Sequence, residues 1–196
     1  MHETGELDTM KTSAFDLDLV IKRGKIESEL ELEQALFVDR QLRLLAKVDP
    51  SLKKKRTKLR EIIGDYESKK WTLDSKVTKR QIEESNEAEN IVEEEGEFYQ
   101  KRKELIKSKL SKLNLNQQEF GIILGHTSKS YMSELMNGVS PFSLKDLILI
   151  SRLLKIDLED LVFTTISLEE RKKIERSIRK LDKPKLKLNP NEFALW

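Results

Sequence analysis

The chain of 196 residues carries 37% apolar and 37% charged side chains and a formal net charge of +2, a composition that predicts a soluble, mostly helical protein with small cores. Because it has no Cys and only two His, disulfide frameworks and thiolate zinc sites are excluded, and we expect neither a metal nor another cofactor. No run approaches the ~20 apolar residues that span a bilayer, and the N-terminus lacks a basic-then-apolar secretory signal, so we expect a cytoplasmic protein with no membrane partner.

Residues 1–25 form a polar N-terminal segment of uncertain order. In its last part, from Phe15 to Arg23, apolar residues alternate with their neighbours in a strand-like way. We assign no element to this stretch, and the expectation for the chain remains an all-α fold.

Residues 26–71 are predicted to form a helical hairpin. Ser28 and Glu31 make a capping box that begins the first helix, Asp49 and Pro50 end it, and Pro50 also opens the second. Each helix has one apolar face, so the two are expected to pack antiparallel as a surface for dimerisation or for a partner protein. The apolar positions are Leu32, Leu36, Leu42, Leu45 and Val48 in the first helix and Leu52, Leu59, Ile62, Ile63 and Tyr66 in the second.

Residues 72–97 are dominated by acidic side chains. Between positions 83 and 97 there are eight Glu and no Lys or Arg. Such a run is more typical of a solvated helix or linker, although a contact surface for a basic partner is the alternative. The pattern therefore predicts an acidic linker and a domain boundary.

Residues 98–165 contain a series of short helices with clear start and stop signals. A helix from about Phe98 to Leu113 is followed by a capping-box start at Asn116 and Glu119, a helix over Gln117–Leu124, and Gly125 as its stop. Gly121 is expected where a neighbouring helix approaches closely. The residues predicted to face inward are Leu105, Ile106, Leu110 and Leu113, then Phe120, Ile123 and Leu124.

A third helix of this region begins at Ser128 and ends at Asn137 and Gly138, with Met132, Leu135 and Met136 inward. Its outward face is small and polar, which suits a helix that enters the major groove of DNA, with Lys129, Ser130 and Ser133 as the candidate contacts. A fourth helix, capped by Ser143, and a fifth, from 158 to 162, complete a five-helix bundle. The inward positions of the fourth helix are Leu144, Leu147, Ile150, Leu153 and Leu154.

This region resembles the Cro and CI-like (XRE) helix-turn-helix family, whose fold is that of lambda repressor. The resemblance covers about a third of the chain and implies DNA binding, with a phosphate contact from Gln117 and base or phosphate contacts from Ser128, Lys129, Ser130 and Ser133. The motifs that carry it are Leu115-Asn116-Gln117-Gln118-Glu119-Phe120-Gly121, Leu124-Gly125, Asn137-Gly138, Ser143-Leu144, Leu154-Lys155-Ile156 and Leu158-Glu159-Asp160-Leu161.

The hairpin together with this module also resembles the HigA-type antitoxins. That resemblance implies a transcriptional regulator that neutralises a RelE-like or HigB-type ribonuclease toxin and represses its own operon. Acidic side chains on the hairpin or in the run 83–97 would then meet a basic toxin. The motifs are Ile26-Glu27-Ser28-Glu29, Gln34-Ala35-Leu36, Asp49-Pro50, Leu52 and Ser128-Lys129-Ser130-Tyr131-Met132-Ser133, and the acidic candidates on the hairpin are Glu27, Glu29, Glu31 and Glu33.

Two other functions remain open on the sequence. The chain is alternatively a stand-alone repressor of phage or mobile-element type without a toxin partner, or a protein-interaction module that has lost DNA binding. A homodimer is expected for either kind of repressor. The basic segment 166–196, predicted to form a helix and tail, has no assigned role.

No enzyme is expected from this chain. It lacks a glycine-rich phosphate loop, a Gly-x-Ser-x-Gly motif and a zinc-protease motif, so we assign no catalytic residues. His126 has no partner nearby in sequence and is interpreted as a turn residue or a phosphate contact.

Overall fold

A computed structural model describes residues 15–70, 78–181 and 183. Within these residues the fold is all-α, as predicted, and no β-strand is present. Parts of the predicted N-terminal segment 1–25, the acidic linker 72–97 and the basic tail 166–196 lie outside the described residues. The helices are α1 (Leu17–Arg23), α2 (Glu29–Leu45), α3 (Leu52–Lys70), α4 (Lys79–Lys112), α5 (Gln117–Leu124), α6 (Lys129–Met136), α7 (Leu144–Leu154) and α8 (Leu168–Leu181), with a 3₁₀ turn at Leu158–Asp160 between α7 and α8.

The strand-like stretch near residue 20 is the helix α1. Asp16 caps it by accepting a hydrogen bond from the Leu19 amide at 3.0 Å, and Gly24 ends it in the left-handed conformation with φ of 70°. Leu17 and Val20 are buried, three positions apart as a helix requires. The local cap therefore outweighs the alternation of apolar residues.

The predicted hairpin is confirmed as α2 and α3. Ser28 caps α2 by accepting from the Glu31 amide at 3.1 Å. Ion pairs of Arg56 with Asp39 and of Lys70 with Glu29 run in opposite order along the two helices, so the helices are antiparallel. Their buried faces, together with α1, form the first core: Phe15, Leu17, Val20, Ile26, Leu32, Ala35, Val38, Leu42, Ala46, Leu52, Leu59, Ile62, Ile63 and the distant Val139.

The acidic run is not a linker where the structure describes it, because residues 79–112 form the single helix α4. Ala88, Ile91 and Val92 are buried, and this first half of α4 packs along α2. Few apolar residues suffice because they fall on one stripe of the helix, while the glutamates other than the buried Glu95 occupy the other sides. The predicted helix start at residue 98 is therefore wrong, whereas the division into separate domains stays a prediction.

Polar side chains are buried where α2, α4 and the 3₁₀ turn meet. The carboxylate of Glu95 accepts hydrogen bonds from Gln34 at 2.9 Å and from the Tyr99 hydroxyl. Arg102 donates to the Leu161 carbonyl oxygen at 3.2 Å, and its guanidinium lies 4.7 Å from the centre of the Tyr99 ring. This polar cluster joins the two halves of the molecule.

The second core lies among α4, α5, α6, α7 and the 3₁₀ turn. Most of the predicted inward residues are buried there, namely Ile106, Leu110, Phe120, Leu124, Met132, Leu135, Met136, Ile150 and Leu154. Leu113, Ile123, Leu144 and Leu153 are exposed, contrary to prediction, because each helix buries a narrower stripe than its apolar residues cover. The predicted fifth helix is the short 3₁₀ turn, which suffices to bury Leu161.

No helix in the described part of the chain has the length and apolar character needed to span a membrane. The predicted basic C-terminal helix is present as α8, which ends at Leu181.

Candidate nucleic-acid interface

Local hydrogen bonds fix where α5 begins. The Asn116 side chain accepts from the amides of Gln118 and Glu119, both at 2.9 Å, and the Glu119 carboxylate accepts from the Asn116 amide at 2.8 Å. This capping box makes Gln117 the first residue of α5, as the sequence predicts. Gly125, with φ of 90°, ends the helix one residue after Leu124.

The approach of α6 to α5 depends on Gly121. A Cβ at this position would lie 2.9 Å from the His126 carbonyl oxygen and 3.3 Å from Cγ of Met132. Glycine therefore allows the close contact that the sequence predicts. Ser128 caps α6 by accepting from the Tyr131 amide at 3.2 Å, so Lys129 is the first residue of α6.

The turn between the two helices is held by His126. Its Nε2 lies 3.1 Å from the Asp146 carboxylate, and its ring packs edge-on against Tyr131. Asp146 belongs to the capping box of α7, where it accepts from Ser143. The sequence interpretation missed this partner, which lies 20 positions away. In the described residues no group of three or more acidic or His side chains is arranged to hold a metal ion.

The predicted contact residues fall into two sets. Gln117 donates from Nε2 to Ser133 Oγ at 3.3 Å, which brings the first turn of α5 against the middle of α6. Ser128 and Lys129 are exposed at the start of α6. Lys129 and Ser133 are four positions apart and therefore share a face of α6, whereas Ser130 is hydrogen-bonded to the N-terminal half of the molecule.

Ser130 is engaged by the N-terminal half of the molecule. Its hydroxyl donates to the carboxylate of Asp49, a residue in the turn between α2 and α3. This hydrogen bond, aided by those from Ser51 and by the charge of Lys129, lowers the pKa of Asp49. A carboxylate therefore lies beside the predicted DNA-contacting end of α6.

Glu134, one turn after Ser130, is also engaged. Its side chain is buried and pairs with Lys55 of α3 at 2.9 Å, while Ser140 donates to the same carboxylate at 3.1 Å. Burial disfavours the charged ammonium of Lys55, but the carboxylates of Glu134 and Asp18 overcome this and raise its pKa. No local pattern in the sequence predicts this pair, because Lys55 and Glu134 are 79 positions apart.

The two acidic candidates for a basic partner differ in exposure. On α2, Glu31 is paired with Arg23, and Glu29 with Lys70. On α4, Glu93 and Glu94 are exposed, with no ion pair to another described residue. Glu93 and Glu94 of α4 are therefore accessible to a basic partner.

No family model, curated protein or solved structure matches this chain.

Proposed function

We propose that this chain is a DNA-binding transcriptional regulator with a Cro and CI-like helix-turn-helix, in which α6 enters the major groove. The observation that carries the proposal is the contact between Gln117 and Ser133, which assembles an edge of polar side chains from α5 and α6. Ser128 and Lys129 are exposed at the start of α6, and Lys129 shares a face of the helix with Ser133.

The chemistry of this edge fits a nucleic acid. Serine hydroxyls both donate and accept hydrogen bonds, so Ser128 and Ser133 match the mixed pattern of base edges in the major groove. Lys129 supplies a cation for a phosphate, and the partial positive charge at the start of α5 favours another phosphate near Gln117. A homodimer would present two copies of α6, which read half-sites about one helical turn apart.

The test is a DNA-binding measurement on the full chain with the duplex upstream of its own gene. Lys129→Glu is expected to raise the dissociation constant about tenfold or more, because a phosphate or base contact becomes repulsive. The matched control is Lys69→Glu, which makes the same charge change at an exposed position near the end of α3. Fluorescence anisotropy at several salt concentrations measures both effects. Equal losses in the two variants would contradict the assignment of α6.

A second function, that of a HigA-like antitoxin, is favoured by the exposed glutamates of α4. In this proposal the chain binds a small basic ribonuclease toxin of RelE-like or HigB type and represses the operon that encodes both. Opposite charges accelerate the encounter of such partners and select among them. The remaining candidate, a stand-alone repressor of phage or mobile-element type, lacks the toxin.

Co-expression with a small basic protein encoded beside this chain separates the last two functions. A stable complex and restored growth support the antitoxin, whereas neither a complex nor toxicity leaves the stand-alone repressor. Glu93→Lys with Glu94→Lys is expected to abolish the complex by charge reversal. The control, Glu61→Lys with Asp65→Lys on exposed positions of α3, changes the charge equally and is expected to keep it.

A further inference from the structure

Helix α6 has two opposite faces. Met132, Leu135 and Met136 are buried in the second core. Ser130 and Glu134 are four positions apart and therefore share a face, which the 100° rotation per residue sets on the side away from those three. Ser130 is one of the predicted DNA contacts, so this outer face turns toward the bases when α6 enters the major groove.

The outer face of α6 is covered by the turn between α2 and α3 and by the start of α3. Asp49 accepts the hydrogen bond of Ser130, and Lys55 pairs with Glu134, whose exposed fraction is only 2%. Just beyond α6, Val139 is fully buried in the first core. Contacts thus run from the first turn of α6 past its C-terminal end.

This cover is incompatible with insertion of α6 into DNA. The major groove of B-DNA is about 12 Å wide, and an α-helix with its side chains is about 10–12 Å across. The groove therefore admits one helix and leaves no room for a second segment on the outer face of α6. Asp49 also adds a negative charge where phosphates would approach. Bases can contact Ser130 only after the α2–α3 turn has moved.

We propose that residues 46–55, the turn and the start of α3, form an autoinhibitory cover over α6, and that the chain binds DNA only when this cover is displaced. The inference rests on the proposed DNA-binding function and adds its regulation. The apparent dissociation constant of such a protein is the intrinsic one divided by the fraction of open molecules. A substitution that weakens the cover therefore strengthens DNA binding without touching DNA.

Lys55→Met tests the proposed cover, because this variant is expected to bind DNA more tightly although it loses a positive charge. It keeps much of the aliphatic stem but leaves the buried Glu134 carboxylate without its cation, which destabilises the closed arrangement. The expected result is a dissociation constant for the upstream duplex at least about tenfold lower than that of the unsubstituted chain. Loss of a positive charge by itself predicts weaker binding, as expected for the control Lys54→Met at an exposed neighbouring position. Binding by Lys55→Met no tighter than by Lys54→Met overturns the cover.

A second variant locks the cover in place. Because the chain has no Cys, Asp49→Cys with Ser130→Cys introduces one cysteine pair across the contact. The oxidised protein is expected to lose DNA binding, and a reductant to restore it. Failure to form the disulfide under a mild oxidant, or equal DNA binding by both forms, overturns the cover. If neither Lys55→Met nor the reduced pair binds any duplex, the proposed DNA-binding function itself fails.

Discussion

The region α1–α3 and the region from α5 to the 3₁₀ turn both surround an apolar core, yet different interactions set their geometry. In the second region, each short helix begins at a capping side chain, as α5 does at Asn116, and α5 ends within a few residues at Gly125. In the first, ion pairs join distant positions, such as Arg56 with Asp39 and Lys70 with Glu29. Local signals thus place the second set of helices, and long-range pairs align the first.

Helix α4 connects these two regions. Its first half packs along α2, and its second half contributes Ile106 and Leu110 to the second core. Gly96 lies under the Phe37 ring, where a Cβ would be 3.0 Å from Cε2. A continuous helix of 34 residues therefore packs on α2 of the first region and forms part of the second core. A substitution that destabilises one core is therefore expected to destabilise the other as well.

The largest predicted effect tests this coupling. Leu59→Ala in the first core and Leu135→Ala in the second each remove a fully buried side chain, at an expected cost of about 3–5 kcal/mol of unfolding free energy. Because α4 packs on α2 and also forms part of the second core, each variant should show one cooperative transition in urea, measured by circular dichroism in the far and near ultraviolet. The exposed Leu44→Ala should stay within about 0.5 kcal/mol of the unsubstituted chain. Two separate transitions in either core variant would contradict the coupling.

Gly138→Ala is predicted to have the next largest effect, with Gly24→Ala as its matched control. Both glycines have left-handed φ angles, 69° and 70°, so alanine costs about 1 kcal/mol at each. Only at Gly138 would the new Cβ also collide with the Tyr99 ring, 2.3 Å away, whereas Gly24 has open space. The expected additional loss at Gly138 is about 1–3 kcal/mol, measured by urea unfolding. Equal losses of unfolding free energy in the two variants would mean that the Tyr99 ring moves aside without cost.

The second region shows how far local sequence signals reach. The bounds of α5 and α6, the role of Gly121 and most of the second core follow from caps, glycines and the spacing of apolar residues. Gln117 and Ser133 were chosen from the family resemblance, and the structure brings them within hydrogen-bond distance. Their roles toward DNA stay predictions.

Local sequence signals do not predict how α6 packs against the N-terminal half of the molecule. Asp49 and Ser130 are 81 positions apart, and no local sequence pattern around either residue predicts their contact. The burial of Glu134 and Glu95 is hidden from the sequence for the same reason, because their partners Lys55 and Gln34 are 79 and 61 positions away. Pairs of this kind are set by tertiary packing.

The smallest predicted effect concerns the polar cluster that joins the two regions, and it depends on pH. Burial raises the pKa of Glu95, despite hydrogen bonds from Tyr99 and Gln34 that favour the charged carboxylate. The folded chain therefore holds a proton on Glu95 at pH values where the unfolded chain has released it. The resulting stabilisation is fully present below the ordinary glutamate pKa of about 4.3 and is lost as the pH rises through the higher folded value.

Glu95→Gln removes this dependence because glutamine stays neutral at every pH. Its carbonyl oxygen still accepts from Tyr99, and Gln34 can rotate its amide to accept from the new donor. In this pH window, Glu95 should lower the unfolding free energy of the unsubstituted chain, measured in urea, by at most about 1.4 kcal/mol per pH unit. The unfolding free energy of the variant should fall less. Glu94→Gln, at an exposed neighbour, should leave the profile unchanged. If the unfolding free energies of Glu95→Gln and of the unsubstituted chain change in parallel with pH, Glu95 is equally protonated in the folded and unfolded states. The polar cluster then contributes no pH dependence to the stability.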